Sequence, residues 1–338
     1  MHISDIAKLA GVGVGTVSRV INNHQEVSDK TRAKVQKIID ENNYVPNNSA
    51  RMLKMNSTRN IGVLVRGVFN PFFSEIIDIM RKGIEKAGYF MILHQSDLAD
   101  SKDELNNITA FIKDSKLQGL IYLGAQIEGL DNDTFKSVNI PLIFTSANTV
   151  YDENIDTFST ITIENDKSAY KGVEYLIKKG HKEIAIILGN ENDRGIGKKR
   201  FEGYIKALSE NNIMFKESNV VYGEYGYEEA YVSTKELINN NTNITAIFAI
   251  SDIMAVGAAK AIADSGLVLG KEISLMGFDG MDITKYYTPS ITTIEQPKKE
   301  IAVRTIEVLL DMLIEKSSNK HLILDTKLIE RKSCNCIN

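Results

Sequence analysis

The sequence predicts a small all-α helix-turn-helix head joined to an α/β body of two parallel-sheet lobes. Three observations carry this reading. Residues 1–45 hold three short amphipathic helical segments, the first two separated by a glycine turn. From Ile61 onward, short apolar runs alternate with longer amphipathic segments through most of the 338 residues. The charge divides at the same place. Residues 1–60 carry nine Lys/Arg and five Asp/Glu, and the remainder carries 31 against 39, so a head of net +4 precedes a body of net −8.

In the first segment Ser4 is placed to cap a helix whose apolar side is Ile6, Ala7, Leu9 and Ala10. Gly11 ends it. A second helix opens near Gly13 and carries Val17, Val20 and Ile21 inward. Val14, Gly15, Thr16, Ser18, Arg19 and Asn22 point away from that stripe, where side chains can reach bases and phosphates if the helix lies in a major groove. A small helical hairpin that serves only as packing is the alternative. The charge division favours the first reading, since phosphates attract a basic head and repel an acidic body.

A third helix is expected from about Asp29 to Asn42, capped by Ser28, with Ala33, Val35, Ile38 and Ile39 at helical spacing. Pro46 ends the unit, because it disfavours helix at the residue before it. The stretch N-N-S-A-R-M-L-K that follows, with Ala50 and Leu53, is long enough for about two turns of helix. It has little apolar surface of its own, so such a helix is marginal in water and suited to ordering on binding. Leu53 between Arg51 and Lys54 suits a wedge pushed into a minor groove with cations on flanking phosphates. A flexible linker whose leucine touches the next domain fits the spacing equally.

In the body, the alternation gives strands at 61–65, 89–94, 119–123, 140–145, 158–163, 183–188, 219–222, 246–250, 273–278, 291–295 and 322–329. Helices fall at about 71–87, 102–114, 166–179, 198–211, 226–239, 253–265 and 298–315. Short strands alternating with longer helices call for parallel sheets covered on both faces. So many strands are too many for one open sheet, which gives two lobes. Such sheets bind small molecules at the carboxyl ends of their strands, and a cleft between lobes is a natural pocket.

With 43% hydrophobic and 25% charged residues the composition is that of an ordinary soluble protein. No amino-terminal signal segment and no bilayer-length apolar run is present, so a cytoplasmic protein without membrane association is expected. Cys334 and Cys336 are the two cysteines; two ligands without His or Asp company make a weak metal site, and reduced thiols are expected. The glycine-rich run at 189–199 fails as a phosphate loop, because Asn192 and Lys199 stand where glycine and Ser/Thr are needed. Gly11, Gly13 and Gly15 follow no strand, which excludes a dinucleotide fingerprint. The histidines lack zinc spacing and no nucleophile has a recognisable setting. No cofactor and no enzymatic activity are expected.

The runs D-I-A-K-L-A-G-V, T-V-S-R-V-I-N, V-S-D-K-T-R, N-Y-V-P-N and A-R-M-L-K closely resemble the head of the lactose-repressor (LacI/GalR) family of transcription regulators. The body follows the same family in order, with I-G-V-L-V, N-P-F-F, K-K-G-H-K-E-I-A, R-F-E-G-Y, S-D-I-M-A-V-G-A, G-F-D and P-S-I-T-T-I-E-Q-P. The likeness covers essentially the whole chain. It implies a homodimer on a nearly palindromic operator, with a type I periplasmic-binding-protein-like body controlled by a small effector, a sugar being expected. The domains implied are a helix-turn-helix head at 1–46, a hinge at 47–60 and a body at 61–338. Within the body, an N-lobe of about 61–160 and 291–320 and a C-lobe of about 161–290 and 321–332 are expected.

By this resemblance Thr16 and Ser18 hold phosphates while Val14, Gly15 and Arg19 face base edges. Arg19 is the best candidate for a bidentate contact to guanine, and Leu53 becomes the wedge. In the body, Arg200 matches an arginine that grips ligand oxygens and Asp279 an acidic acceptor. Ser251-Asp252 stands where Asn-Asp is common, and Ser146 where many relatives have Asp-Arg. Phe72 or Phe73 is placed to stack on a ligand ring and Tyr225 to cover its other side; the alternatives are lobe core for the aromatics and a helix cap for Asp252. Gly13 replaces the usual serine cap of the recognition helix and Gly15 offers no side chain to a base, which leaves more of the readout to Arg19 and DNA shape. The expected function is a transcriptional repressor released by a metabolite. The alternatives are a regulator answering a nucleobase or a phosphoprotein, and a sugar-binding transport protein.

Overall fold

A computed structural model of the chain describes residues 1–21, 26–42, 44, 59–67, 70–96, 101–125, 135–147, 156–191, 193 and 195–337. The chain separates into two compact units, residues 1–58 and 59–338.

The first unit contains α1 (Ile3–Ala10), α2 (Val14–Ile21) and α3 (Asp29–Glu41). Ser4 does not cap α1. His2 holds that position, and the Asp5 carboxylate accepts its backbone N–H at 2.7 Å, so Ser4 falls in the first turn with an exposed side chain. Gly11 ends α1 in the left-handed conformation (φ 62°), which a glycine adopts without steric cost. The Gly13 carbonyl then accepts the N–H groups of Thr16 and Val17 and opens α2. Ser28 caps α3 by accepting the Thr31 N–H. Ile6, Ala7, Ala10, Val17, Val20, Val27, Val35 and Ile39 close a small core. Each fully buried Val or Ile contributes about 1.5–3 kcal/mol. Leu9 is 56% exposed and Ala33 is exposed, so neither belongs to the buried stripe its spacing suggested. Three short helices enclose too little volume to cover every apolar position.

The second unit holds two six-stranded sheets. The first is built from β1 (Asn60–Arg66), β2 (Phe90–Ser96), β3 (Leu117–Leu123), β4 (Leu142–Thr145), β5 (Ser159–Ile163) and β11 (His321–Leu324). Its order is β11-β5-β4-β3-β1-β2, and every neighbouring pair is parallel. The helices α4 (Pro71–Lys86), α5 (Ser101–Asp114) and α11 (Lys298–Ile314) belong with this sheet. The second sheet contains β6 (Ile184–Leu188), β7 (Val220–Tyr222), β8 (Ala246–Ala249), β9 (Ser274–Asp279), β10 (Thr292–Glu295) and β12 (Lys327–Ile329). Its order is β12-β10-β9-β8-β6-β7, antiparallel only at β10–β12. Helices α6 (Asn165–Lys178), α7 (Ile196–Glu210), α8 (Tyr227–Asn240), α9 (Asp252–Asp264) and the short α10 (Asp282–Tyr286) accompany it. The inner strands β6 and β9 are buried throughout and β3 nearly so, as strands covered on both faces must be.

Three expected boundaries move. The single strand expected at 322–329 is two strands in different sheets, and Asp325-Thr326 carries the chain across. Strand β11 therefore belongs to the first lobe rather than the second. Strand β10 pairs with β9, so the return to the first lobe comes at 296–297 and not before 291. Helix α10 falls in a stretch the periodicity left unassigned; five residues are too few to reveal a helical period. The two lobes meet directly, since Ile253 and Met281 from the second pack into the first lobe's core with Phe72, Phe73 and Ile76. Lys298, which opens α11 just after a crossing, donates to the Gly280 carbonyl at 2.8 Å and lies 3.3 Å from Glu75 on α4.

Candidate DNA-binding head and effector site

On α2, Val17 and Val20 face the core, whereas Val14 (39% exposed), Gly15 and Arg19 are exposed and Thr16 and Ser18 half-buried. The expected reading face is thus presented to solvent. Arg19 Nε lies 3.8 Å from the exposed Glu26 carboxylate, an ion pair worth little in water and easily given up for a base edge or phosphate. A Cβ at Gly13 or Gly15 would meet nothing within 4 Å. These glycines are therefore not demanded by packing within the head. Asn22, Ala50 and Leu53, with residues 47–58 of the expected hinge at 47–60, lie outside the described residues.

In the body, Arg200, Asp279 and Ser251 of the expected effector site lie at the carboxyl ends of the second sheet. Strand β9 ends in Asp279, β8 runs into Ile250-Ser251, β10 into Gln296 and β6 into Gly189. Arg200 reaches them from the second turn of α7. It is 4% exposed and its guanidinium is held by polar and aromatic partners: Nε donates to Asn165 Oδ1 at 3.0 Å and Nη1 to the Ile250 carbonyl. Its Nη1 lies 3.5 Å from Asp279 Oδ1, and the guanidinium plane sits 3.6 Å over the Phe278 ring. A buried arginine is tolerated on these terms alone. Burial pulls Arg200 downward and Asp279 upward from their ordinary pKa values, and their mutual attraction opposes both shifts. Asp279 also accepts a 2.8 Å hydrogen bond from Gln296 Nε2 and has φ 118°, a backbone region costly to a non-glycine residue and typical of functional sites.

The remaining expected residues divide. Ser251, not Asp252, caps α9 by accepting the Met254 N–H at 3.3 Å. Asp252 is wholly buried and accepts from the Met281 N–H and the Thr293 hydroxyl, each at 2.6 Å. Both of its carboxylate oxygens are thus engaged within the second lobe, and the cap falls to Ser251. Burial, then the Asp279 charge, drives its pKa well up, with both hydrogen bonds opposing. Phe72 and Phe73 stand edge to face at 5.3 Å within the first lobe's core, the packing role that their spacing also allowed. Ser146 ends β4 on the first lobe with φ 50°; its buried Oγ has no hydrogen-bond partner among the described residues, a polar atom set aside at a strand's carboxyl end. Tyr225 is also left-handed (φ 55°), and its hydroxyl donates to Asp193 Oδ2.

Sequence reasoning missed Asn165 and Gln296, which hold Arg200 and Asp279. Gln296 sits inside the quoted T-T-I-E-Q-P run, so its signal was present; Asn165 has no local signature, because its role arises from α6 meeting α7.

A three-helix head with an exposed recognition face, joined in one chain to a two-lobed α/β body with a buried arginine–carboxylate pair at its strand ends, defines a ligand-controlled DNA-binding regulator. Comparison with known proteins agrees. Residues 2–47 match the family described as bacterial regulatory proteins, lacI family, and residues 173–334 match the periplasmic binding protein-like domain. The chain is 50% identical over 334 residues to the HTH-type transcriptional regulator MalR of Clostridium butyricum, covering 99% of each. It is 33% identical over 334 residues to the HTH-type transcriptional repressor PurR of Proteus mirabilis (strain HI4320), covering 98% of this chain and 96% of that one. Among solved structures it is similar to the Lac repressor dimer bound to operator and the anti-inducer ONPF, with TM-score 0.76, 26% identity and 99% of each chain covered. The chain belongs to the lacI family of helix-turn-helix transcriptional regulators. Among the described residues no helix is long and apolar enough to cross a membrane.

Proposed function

We propose that this regulator is a repressor that leaves its operator when a sugar binds between the two lobes. One observation carries the reading: Arg200 and Asp279 lie side by side at the strand ends, each oriented by its own partner. A planar donor beside a carboxylate acceptor matches the vicinal hydroxyls of a sugar ring, and the lobe contact through Ile253, Met281 and Lys298 gives a ligand there leverage on both lobes. The protein acts as a homodimer in this reading, as the dimeric, operator-bound Lac repressor neighbour supports. Thr16 and Ser18 bind phosphates, Val14, Gly15 and Arg19 face bases, and Ala50 and Leu53 contact the operator.

The test is a melting-temperature screen of the full-length protein against maltose, cellobiose, trehalose, lactose and glucose. A sugar present at about 100 times its Kd stabilises the protein by roughly 2.7 kcal/mol. The expected result is a clear upward shift for at least one sugar that Arg200→Ala abolishes. A shift that survives in Arg200→Ala would move the site elsewhere, and no shift with any sugar would remove the sugar.

A further inference from the structure

In the glycine-rich run that fails as a phosphate loop, Gly189, Asp193 and Gly197 gather around Tyr225. Glu224 and Tyr225 are consecutive non-glycine residues in the left-handed region, φ 46° and 55°. Such backbone persists where its surroundings over-determine it, often at ligand clamps. Here the Gly223 N–H donates to the Leu188 carbonyl at 2.9 Å, the Glu224 N–H to the Gly189 carbonyl at 2.8 Å and the Gly226 N–H to the Gly223 carbonyl at 2.8 Å. The phenol end is held as firmly. Its hydroxyl donates to Asp193 Oδ2, while Asp193 Oδ1 accepts the Gly195 N–H at 2.8 Å. Two glycines leave room for this arrangement. A Cβ at Gly189 would stand 2.1 Å from the Tyr225 ring, and one at Gly197 would stand 2.2 Å from the Asp193 carboxylate and 3.0 Å from the Tyr225 hydroxyl. Gly197 lies in the first turn of α7 and Arg200 one turn later, so this lock adjoins the arginine.

We propose that Asp193 is a positioning residue of the effector site, fixing the Tyr225 ring through its hydroxyl and so setting which sugar ring fits against Arg200. The inference rests on the effector reading above. It accounts for three features together: the strained Tyr225 backbone, the glycines at 189 and 197, and the use of both carboxylate oxygens of Asp193. A staple serving only the stability of the second lobe would leave ligand choice untouched.

The experiment uses full-length wild type, Tyr225→Phe, Asp193→Ala and the double variant. Affinities for maltose, cellobiose, trehalose, lactose and glucose are measured by calorimetry, and hydrogen exchange of segment 189–197 is followed without sugar. Tyr225→Phe removes the charge-assisted hydrogen bond to Asp193, and Asp193→Ala removes that bond together with the one from the Gly195 N–H; in either variant the tightest sugar should weaken by about tenfold and the order of preference should change. The double variant should be no weaker than either single one, and exchange in 189–197 should rise in all three. Unchanged affinities alongside lowered melting temperatures would reduce Asp193 to a staple, as would losses that simply add. Unchanged exchange would show that the hydroxyl holds nothing. If wild type binds none of the sugars, the effector reading falls and takes this inference with it. If wild type binds and the variants bind identically, only this inference fails.

Discussion

Arg19 and Arg200 do opposite things with the same side chain. Arg19 is exposed, and its contact with Glu26 is a loose surface pair; in the proposed reading its guanidinium serves a partner from outside. Arg200 is buried, and its positioning is already complete within the protein. Replacement should therefore separate the two functions. Arg19→Ala should weaken specific operator binding by about 1–3 kcal/mol and spare much of the affinity for random duplex. Anisotropy titrations on both duplexes check this, and equal losses on the two would take Arg19 off the bases. At this scale the sequence was legible where structure is local: the exposed face of α2 follows from its spacing, and Arg200 and Asp279, which the family resemblance singles out, lie together at the strand ends. It was illegible where a role depends on a distant element. Asp252 looks like a helix cap or a ligand contact, but the Met281 and Thr293 donors that claim it lie 29 and 41 residues away in sequence.

Individual elements make their own predictions. Helix α2 carries a glycine at position 15 with open space where a Cβ would go. Gly15→Ala should stabilise the head by up to about 0.5–1 kcal/mol, because glycine in a helix costs conformational entropy that alanine does not, and Gly15 lies in the first turn of α2. Urea denaturation followed by far-UV circular dichroism measures it, and a loss of stability would mean that the free head needs glycine there. The carboxyl-terminal segment is a second such element. Leu275 N–H donates to the Ser333 carbonyl at 2.9 Å, Asn335 N–H to Ser274 Oγ at 3.1 Å and Ile337 N–H to the Lys179 carbonyl at 2.9 Å. Cys334 is buried there, its Sγ donating to the Leu275 carbonyl. His181 completes the attachment, with Nε2 on the Asn335 carbonyl at 3.1 Å and Nδ1 on Thr245 Oγ1 at 3.0 Å.

Burial lowers the pKa of His181, with the Asn335 carbonyl opposing and the Lys179 charge assisting. The unfolded chain therefore takes up this proton more readily than the folded one. The stability concerned is present above the ordinary histidine range near 6.5 and is lost as pH falls through and below it. His181→Gln should show a shallower fall in unfolding free energy between pH 7.5 and 5 than wild type, measured by urea titration. Parallel slopes would assign the loss to other groups.

At the scale of the whole molecule, periodicity and length revealed the two-lobed body, because alternating strands and helices leave a period that tertiary packing does not erase. Which strands belong to which lobe was not legible. Strands β10, β11 and β12 are only three or four residues long, and pairing partner, not composition, assigns them. The consequence is functional. The chain passes between the lobes at 163–165, 295–298 and 324–327, and the second passage brings Lys298 to both Gly280 and Glu75. A ligand at Arg200 and Asp279 thus sits beside the segments that any change in lobe arrangement must bend. Coupling of this kind operates through differential affinity, so the sugar can shift the operator equilibrium only as far as it prefers one lobe arrangement over the other. The direct measurement is operator affinity of wild type and Arg200→Ala by fluorescence anisotropy, with and without the sugar that raises the wild-type melting temperature. The account predicts that the sugar weakens wild-type binding at least about fivefold, the lower end of ordinary allosteric coupling, and leaves Arg200→Ala on the operator. Wild-type affinity that ignores a saturating, demonstrably bound sugar would contradict it.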